Sequence, residues 1–142
     1  MLADTLLRAE HLQLFQLLVW GGGSVLIGTF VFVVVAWRRP ATTMLRHFAT
    51  QMIIWGGLEI AYVVVAWQRL GLRDVSGATR LDRLLWLNLG LDLGAVAVGA
   101  TIAVIGWLGG RRLGLLGSGV GVIVQAVAVF LINAQLAALI SR

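Results

Sequence analysis

The stretches HFATQMIIWGGLEIAYVVVAW (47–67) and LLWLNLGLDLGAVAVGATIAVIGW (84–107) decide the fold of this chain. Each is an almost unbroken apolar run, long enough to cross a bilayer core of about 30 Å as a helix. Each also carries an acidic residue deep inside it, Glu59 in the first and Asp92 in the second. An ionisable group in hydrocarbon costs roughly 2.5–3.5 kcal/mol on insertion scales, so such residues are rare and usually paired or functional. The two runs therefore indicate a membrane protein and the region in which to look for its function.

Two more apolar runs lie on either side of this pair. Together the runs predict four helices that use most of the 142 residues, at about 13–37, 47–67, 84–108 and 113–140. The connections are short, so consecutive helices are expected to be antiparallel neighbours. The sequence therefore predicts a single transmembrane domain over residues 1–142, with an all-α fold: an integral membrane four-helix bundle with short loops.

The composition argues against an enzyme, a metalloprotein or a cofactor protein. Hydrophobic residues make up 60% of the chain and the mean hydropathy is +0.96, which leaves no room for a soluble catalytic domain. The chain has no cysteine, so thiolate chemistry and disulfides are excluded. Its two histidines, His11 and His47, are expected on opposite sides of the membrane and cannot share a metal or a haem. We therefore expect no catalytic residue, no metal site and no cofactor.

The net charge of +5 comes from arginines that flank the apolar runs. Arginines in these positions anchor helices to lipid headgroups, so the expected partner is the lipid bilayer and not a nucleic acid. The N-terminal stretch carries Asp4 and Glu10 before the first apolar run and lacks a cleavage site, so the first helix is expected to be retained. Six arginines on one side against five on the other give no bias in orientation. We expect a multi-pass protein of the bacterial inner (cytoplasmic) membrane with cytoplasmic termini.

The two acidic residues are predicted to lie at the same depth. Glu59 precedes Trp67 by eight residues, which places it roughly 12 Å from the N-terminal-side boundary of the bilayer. Asp92 follows Leu84 by eight residues and so has the same depth from the same side. That depth falls near Asn133 in the fourth helix and near Gly21 in the first. Polar side chains from helices 2, 3 and 4 are therefore expected to lie at the same depth in the bilayer.

These polar residues also share faces of their helices. Helix 2 carries a stripe at the spacing i, i+4, i+8, i+11, and pairs at i, i+4 and i, i+8 follow in helices 3 and 4. Amide and carboxyl groups cannot face lipid cheaply, so the stripes should converge on the bundle axis. The candidate ligand-binding residues are therefore Glu59, Asp92, Asn88, Gln125, Asn133, Trp55, Tyr62 and Gln51.

No arginine lies inside any of the four runs, so nothing in them offsets a negative charge. At least one of Glu59 and Asp92 is therefore expected to be protonated at neutral pH and to donate a hydrogen bond to the other or to Asn133 or Gln125. Small residues at the spacing small-xxx-small should let helix backbones approach closely. The pairs with this spacing are Ser24 and Gly28, Gly90 and Gly94, and Gly117 and Gly121.

Three interpretations of the polar set stay open. The side chains can simply hold the helices together, since interhelical hydrogen bonds stabilise membrane bundles. They can instead form a site that binds a proton, a cation or a small amphiphilic ligand. The third interpretation is an accessory subunit that packs, through glycine-rich faces such as those of Gly21, Gly28 and Gly94, against a homodimer partner or a larger membrane complex. Catalysis by the carboxyl pair lacks a nucleophile and an oxyanion stabiliser.

Helices 3 and 4 carry motifs that resemble those of a family of uncharacterised four-helix bacterial membrane proteins. Asn88, Gly90, Leu91, Asp92 and Gly94 match its Asn-x-Gly-Leu-Asp-x-Gly motif, and Gly117, Gly119 and Gln125 match its Gly-x-Gly and Gln. The resemblance covers about residues 45–140 and implies a fold but no activity. Where the family pattern has Asp in helix 4 and Asn in helix 2, this chain has Asn133 and Glu59, an exchange that suggests the two positions are complementary.

Overall fold

Four long helices account for nearly all of the chain. The structure is a computed structural model that describes residues 2–38, 43–72 and 75–140. Its helices are α1 (Leu2–Arg38), α2 (Thr43–Gln68), α3 (Val75–Leu108) and α4 (Leu113–Ile140), and the described ranges contain no strand. All four are long and apolar enough to cross a membrane. The predicted all-α, four-helix membrane architecture is confirmed.

Two helices begin earlier than the apolar runs predict. We expected α1 to begin near residue 13 and α3 near residue 84, but they begin at Leu2 and Val75. Hydropathy locates the segment inside the hydrocarbon, whereas helical hydrogen bonding continues into the polar interface wherever the residues are good helix formers. Asp4 consequently lies in the first turn of α1, where its negative charge interacts favourably with the positive N-terminal end of the helix dipole. Arg39 and Pro40, expected to end the first helix, lie outside the described residues.

Helix α4 is the centre of the bundle. It packs against each of the other three helices, most extensively against α3 and α2. Helices α1 and α2 form a second close pair, antiparallel like the α3–α4 pair. In the described ranges, α2 and α3 lie on different sides of α4 and hardly approach each other. The bundle is therefore open between α2 and α3.

Glycines bring the backbones of α1 and α2 together. A Cβ atom at Gly56 would lie 2.6 Å from the carbonyl oxygen of Gly21 and 2.9 Å from the Cβ of Ser24. One at Gly28 would lie 2.9 Å from the carbonyl oxygen of Ala49. The predicted close approach at Ser24 and Gly28 is confirmed. In hydrocarbon, where burial of apolar surface does not drive association, this contact between backbones is a main source of packing energy.

The glycines of α4 face two helices in alternation. Gly117 contacts the backbone of Met44 in α2, and a Cβ at Gly121 would lie 2.7 Å from the Cβ of Gln51, also in α2. A Cβ at Gly119 would instead lie 2.5 Å from the carbonyl oxygen of Gly99 in α3. Residues two apart in a helix point about 200° away from each other. The Gly-x-Gly motif therefore places α2 and α3 on opposite sides of α4.

The predicted close approach at Gly90 and Gly94 is wrong. A Cβ atom at either position would meet nothing within 4 Å, and both residues are exposed on the outer surface of α3. The contact of α3 with α4 lies further along, at Gly99 and Gly106, where a Cβ at Gly106 would lie 2.6 Å from the backbone nitrogen of Leu116. Spacing alone gave no means to tell which glycines face a neighbour.

The tryptophans divide into two groups. Trp37, Trp67 and Trp107 lie near helix ends, and Trp86 lies near the start of the apolar part of α3. All four are exposed, as expected for an aromatic belt at the membrane interfaces. At the α3–α4 turn, the Arg111 guanidinium lies 5.5 Å from the centroid of the Trp107 ring. The chain reverses there through positive φ angles at Gly110 and Arg111. The remaining two, Trp20 and Trp55, lie well away from the ends of their helices, Trp20 partly buried and Trp55 37% exposed.

Neighbouring glycines in α2 provide a direct test of this packing. We predict that Gly56→Ala lowers the free energy of unfolding by about 1–3 kcal/mol, because the added methyl group would overlap the Gly21 carbonyl. Gly57→Ala is the matched control, since a Cβ there meets nothing within 4 Å. Thermal unfolding in detergent, followed by far-UV circular dichroism, measures both. Equal midpoints for the two variants would show that the α1–α2 contact is looser than described.

Candidate functional site

A cleft lies between α2 and α3, with α4 as its back wall. It encloses a cavity of about 270 Å³ whose lining is mostly apolar. Several residues at its edge are exposed, among them Leu58, Tyr62 and Leu91, the last with 63% of its surface accessible. Because α2 and α3 do not close over it, the cavity opens sideways, toward the hydrocarbon of the bilayer. Its polar lining residues are Glu59, Asn88, Asp92, Gln125 and Asn133.

The cleft collects seven of the eight candidate residues. Besides the five polar residues, Trp55 and Tyr62 of α2 line it. Gln51 is the exception: its side chain packs beside Gly121, and its Oε1 accepts a hydrogen bond of 3.1 Å from the Trp55 indole nitrogen. Gln51 therefore orients Trp55 from outside the cavity and does not line it.

One chain of hydrogen bonds links α1, α4 and α3. Gln13 Nε2 donates to Asn133 Oδ1 at 2.7 Å, and Asn133 Nδ2 donates to Asp92 Oδ2 at 2.8 Å. Gln13 and Asn133 are both buried. The Asn133 amide thus accepts a hydrogen bond from α1 and donates one to α3. The second bond fixes the Asp92 carboxyl against α4. The prediction that Asp92 and Asn133 share one depth is confirmed.

A second chain links α1, α4 and α2. The Trp20 indole nitrogen donates to Gln125 Oε1 at 2.6 Å, and Gln125 Nε2 lies 3.4 Å from the sulfur of Met52. Only 2% of Gln125 is exposed. This bond explains why a tryptophan lies well inside α1, away from the interfacial belts. Gln125 and Asn133 of α4 therefore each bridge a pair of other helices.

Glu59 is the acidic residue of the cleft that takes part in neither of these two series of hydrogen bonds. It is 9% exposed, and neither of its carboxyl oxygens has a hydrogen-bond partner. The carboxyl lies against α1, where a Cβ at Gly21 would be 3.2 Å from Oε2, as the depth argument predicted. The Ser24 hydroxyl, one turn further along α1, is also buried without a partner. We expected at least one of the two carboxyls to bond to the other or to an α4 amide. Asp92 makes such a bond, as the acceptor from Asn133, whereas Glu59 does not.

Sequence reasoning missed three contributors to the site: Gln13, Trp20 and Met52. Gln13 lies at the expected start of the first helix and was not among the candidate residues. A signal was present, because Gln13, Trp20 and Ser24 follow each other at the spacing i, i+7, i+11, which is one helical face. Met52 carries no polar signal of its own.

The charges at the cleft are all of one sign. The two carboxyl groups line the same cavity, and none of the described residues that line it is basic. Within the described parts of the chain, no three His, Cys, Asp or Glu side chains come together in a group that could hold a metal ion. The lining offers acceptors and amide donors, two aromatic rings and an apolar floor. Such a lining suits a small molecule that is part polar and part apolar.

These features define a class: an α-helical four-helix bundle whose helices are long and apolar enough to cross a membrane, with a cleft that contains five polar side chains. The chain belongs to the family of unknown function DUF6992, whose pattern matches residues 16–134. The family resemblance expected from the motifs in helices 3 and 4 is confirmed. No protein of curated function and no solved structure matches the chain.

Two amide side chains on α4 can be compared: one that bridges two other helices and one that is exposed. We predict that Asn133→Leu lowers the free energy of unfolding by about 1–3 kcal/mol, because the buried Gln13 amide loses its partner. Gln135→Leu removes an exposed amide of the same helix, whose bond to Gln16 is 3.0 Å long, and should change stability by about 0.5 kcal/mol or less. Thermal unfolding in detergent compares them. A Gln135 variant that proves the less stable of the two would contradict the bridging role of Asn133.

Proposed function

We propose that this chain is a non-enzymatic integral membrane protein that binds a small amphiphilic ligand in the cleft between α2 and α3. The observation that carries the proposal is Glu59: a buried carboxyl without a partner, on the wall of a cavity that opens to the bilayer. A buried polar group without a hydrogen bond costs about 1–3 kcal/mol. If the polar set served only to hold helices together, Glu59 would be a net loss at a position where an apolar residue would fit.

The sequence left a proton, a cation and an amphiphile as candidate occupants, and the shape of the cleft favours an amphiphile. A proton alone needs no cavity. A metal cation is usually held by several charged or imidazole ligands, and among the described residues no three His, Cys, Asp or Glu side chains come together. A cavity of about 270 Å³ lies slightly below the usual range of small-molecule pockets, which begins at about 300 Å³. It therefore suits a compact polar head whose apolar part extends through the lateral opening.

The depth of the site limits the head group. At roughly 12 Å from the bilayer boundary, the phosphate of an ordinary phospholipid cannot reach Glu59 without leaving the interface. The occupant is therefore a molecule whose polar head is small enough to be transferred into the hydrocarbon. We also propose that the protein resides in the bacterial inner membrane with cytoplasmic termini, as the sequence suggested.

One observation favours a second candidate, an accessory subunit of a larger membrane complex. Gly90 and Gly94 leave a flat, uncovered strip on the outer face of α3, where a partner helix could approach closely. The other two glycines considered for this role, Gly21 and Gly28, are enclosed between α1 and α2. Only the α3 strip therefore suits an external partner.

Native mass spectrometry of the protein, released gently from its own membrane, separates the candidates. We predict a monomer or dimer that carries a small-molecule adduct, and loss of that adduct in Asp92→Asn. Asp82→Asn, which removes a carboxyl nearer the start of α3 and outside the cleft, is the matched control and should keep the adduct.

Other outcomes have distinct meanings. A bound protein that dissociates on Gly94→Leu would establish the accessory role instead. A bare protein whose Asp92 variant is merely less stable would leave the polar set as a means of holding the helices together and would contradict the proposal.

A further inference from the structure

The charge balance of the cleft indicates what kind of amphiphile it takes. Two carboxyl groups, Glu59 and Asp92, line it from facing helices, and its lining within residues 2–38, 43–72 and 75–140 contains no basic side chain. In a medium of low dielectric constant, a negative charge without a counter-charge is costly, so any charge on this pair must be neutralised by a proton or by a cation from outside the chain. An anionic head group would add to the repulsion. A neutral head group would leave the negative charge without a counter-charge.

The two carboxyl groups differ in what supports their ionised form. Asp92 Oδ2 accepts a hydrogen bond from Asn133, which Gln13 holds in place. Hydrogen bonds of this kind favour a carboxylate over a carboxylic acid. Glu59 has no donor on either oxygen. Asp92 is therefore the position at which a negative charge is best supported, and Glu59 the position at which a proton is retained.

The aromatic residues of the lining add groups that attract a cation. Trp55 and Tyr62 flank Glu59 on the same face of α2, one turn to either side, and both line the cavity. Aromatic ring faces attract a positively charged group, most strongly when water is excluded. The Trp55 indole nitrogen is already engaged by Gln51, which holds the ring in a defined orientation.

We propose that the ligand of this cleft is a lipophilic monocation, such as an amphiphile with a quaternary ammonium head, and that it competes with a proton for Asp92. This inference rests on the proposed function and names its ligand. The cation neutralises the same charge that a proton on Asp92 would neutralise, so the two exclude each other. When the carboxyl is protonated, binding requires that its proton leave for the solvent, and the charge of the site is the same before and after.

The groups that face Asp92 set the expected pH dependence. They are Glu59 from α2, with Tyr62 beside it, and the uncharged amides of Gln125 and Asn133 from α4; α1 contributes only Leu17 to the lining. No other carboxyl and no basic group lies among them. Binding of the cation is therefore coupled to the release of one proton, from Asp92. Because protons compete less well at higher pH, the affinity for the cation rises by up to about tenfold per pH unit.

The test uses the full chain in phosphatidylcholine nanodiscs, with dodecyltrimethylammonium as probe and dodecanol as its uncharged counterpart. We predict saturable binding of one cation per protein, an affinity at least about tenfold higher near pH 8 than near pH 6, and proton release on binding. Asp92→Asn should weaken cation binding by about tenfold or more and remove the pH dependence. Trp55→Leu should weaken it about fivefold without altering the pH dependence.

Two controls keep the outcomes distinct. Asp82→Asn should bind the cation as the wild type does, and dodecanol binding by the Asp92 variant shows whether its cleft is intact. If dodecanol binds and the cation does not, or if cation binding is independent of pH and of Asp92, the cation inference is overturned while the amphiphile site stands. If neither probe binds, both the inference and the proposed function fail.

Discussion

Close contact between helix backbones is the constraint on which the rest of the structure depends. Within hydrocarbon, apolar side chains gain nothing by leaving lipid for protein, so helices associate where glycines let them touch. In α4 these contacts alternate: Gly117 and Gly121 face α2, while Gly119 faces α3. The same three residues that attach α2 and α3 to α4 hold them apart from each other. The cleft is thus a geometric result of where the glycines lie, and its polar lining is a separate feature.

The amides of α4 determine which groups in this cleft remain available. Gln125 and Asn133 are each shared between two other helices, so their hydrogen-bonding capacity is largely used within the bundle. This leaves Asp92 held on one oxygen and Glu59 held on neither. Structural and candidate functional roles are therefore divided between amides and carboxyls. A polar residue inside a membrane protein need not serve both, and its partners show which one it serves.

Much of the site could be predicted because depth follows from counting residues along straight helices. Glu59 beside Gly21, and Asp92 beside Asn133, emerged from that count and from the spacing of polar residues. What could not be predicted depends on which way each helix turns toward its neighbours. Gly90 and Gly94 have the same spacing as Gly117 and Gly121, yet the first pair faces outward and the second faces α2. The early starts of α1 and α3 were missed because hydropathy reports the boundary of the hydrocarbon and not the end of a helix.

Because the cleft opens sideways, the concentration that sets its occupancy is that of the ligand in the membrane and not in solution. A pocket that faces water fills according to the concentration of its ligand in solution. A pocket that faces acyl chains fills according to the mole fraction of its ligand in the leaflet, where amphiphiles are enriched by their burial of about 0.8 kcal/mol per methylene. Arrival is then a lateral encounter in two dimensions, and a site of weak intrinsic affinity can still be full. Under the proposed function, the occupancy of this cleft would therefore follow the lipid composition of the leaflet around it.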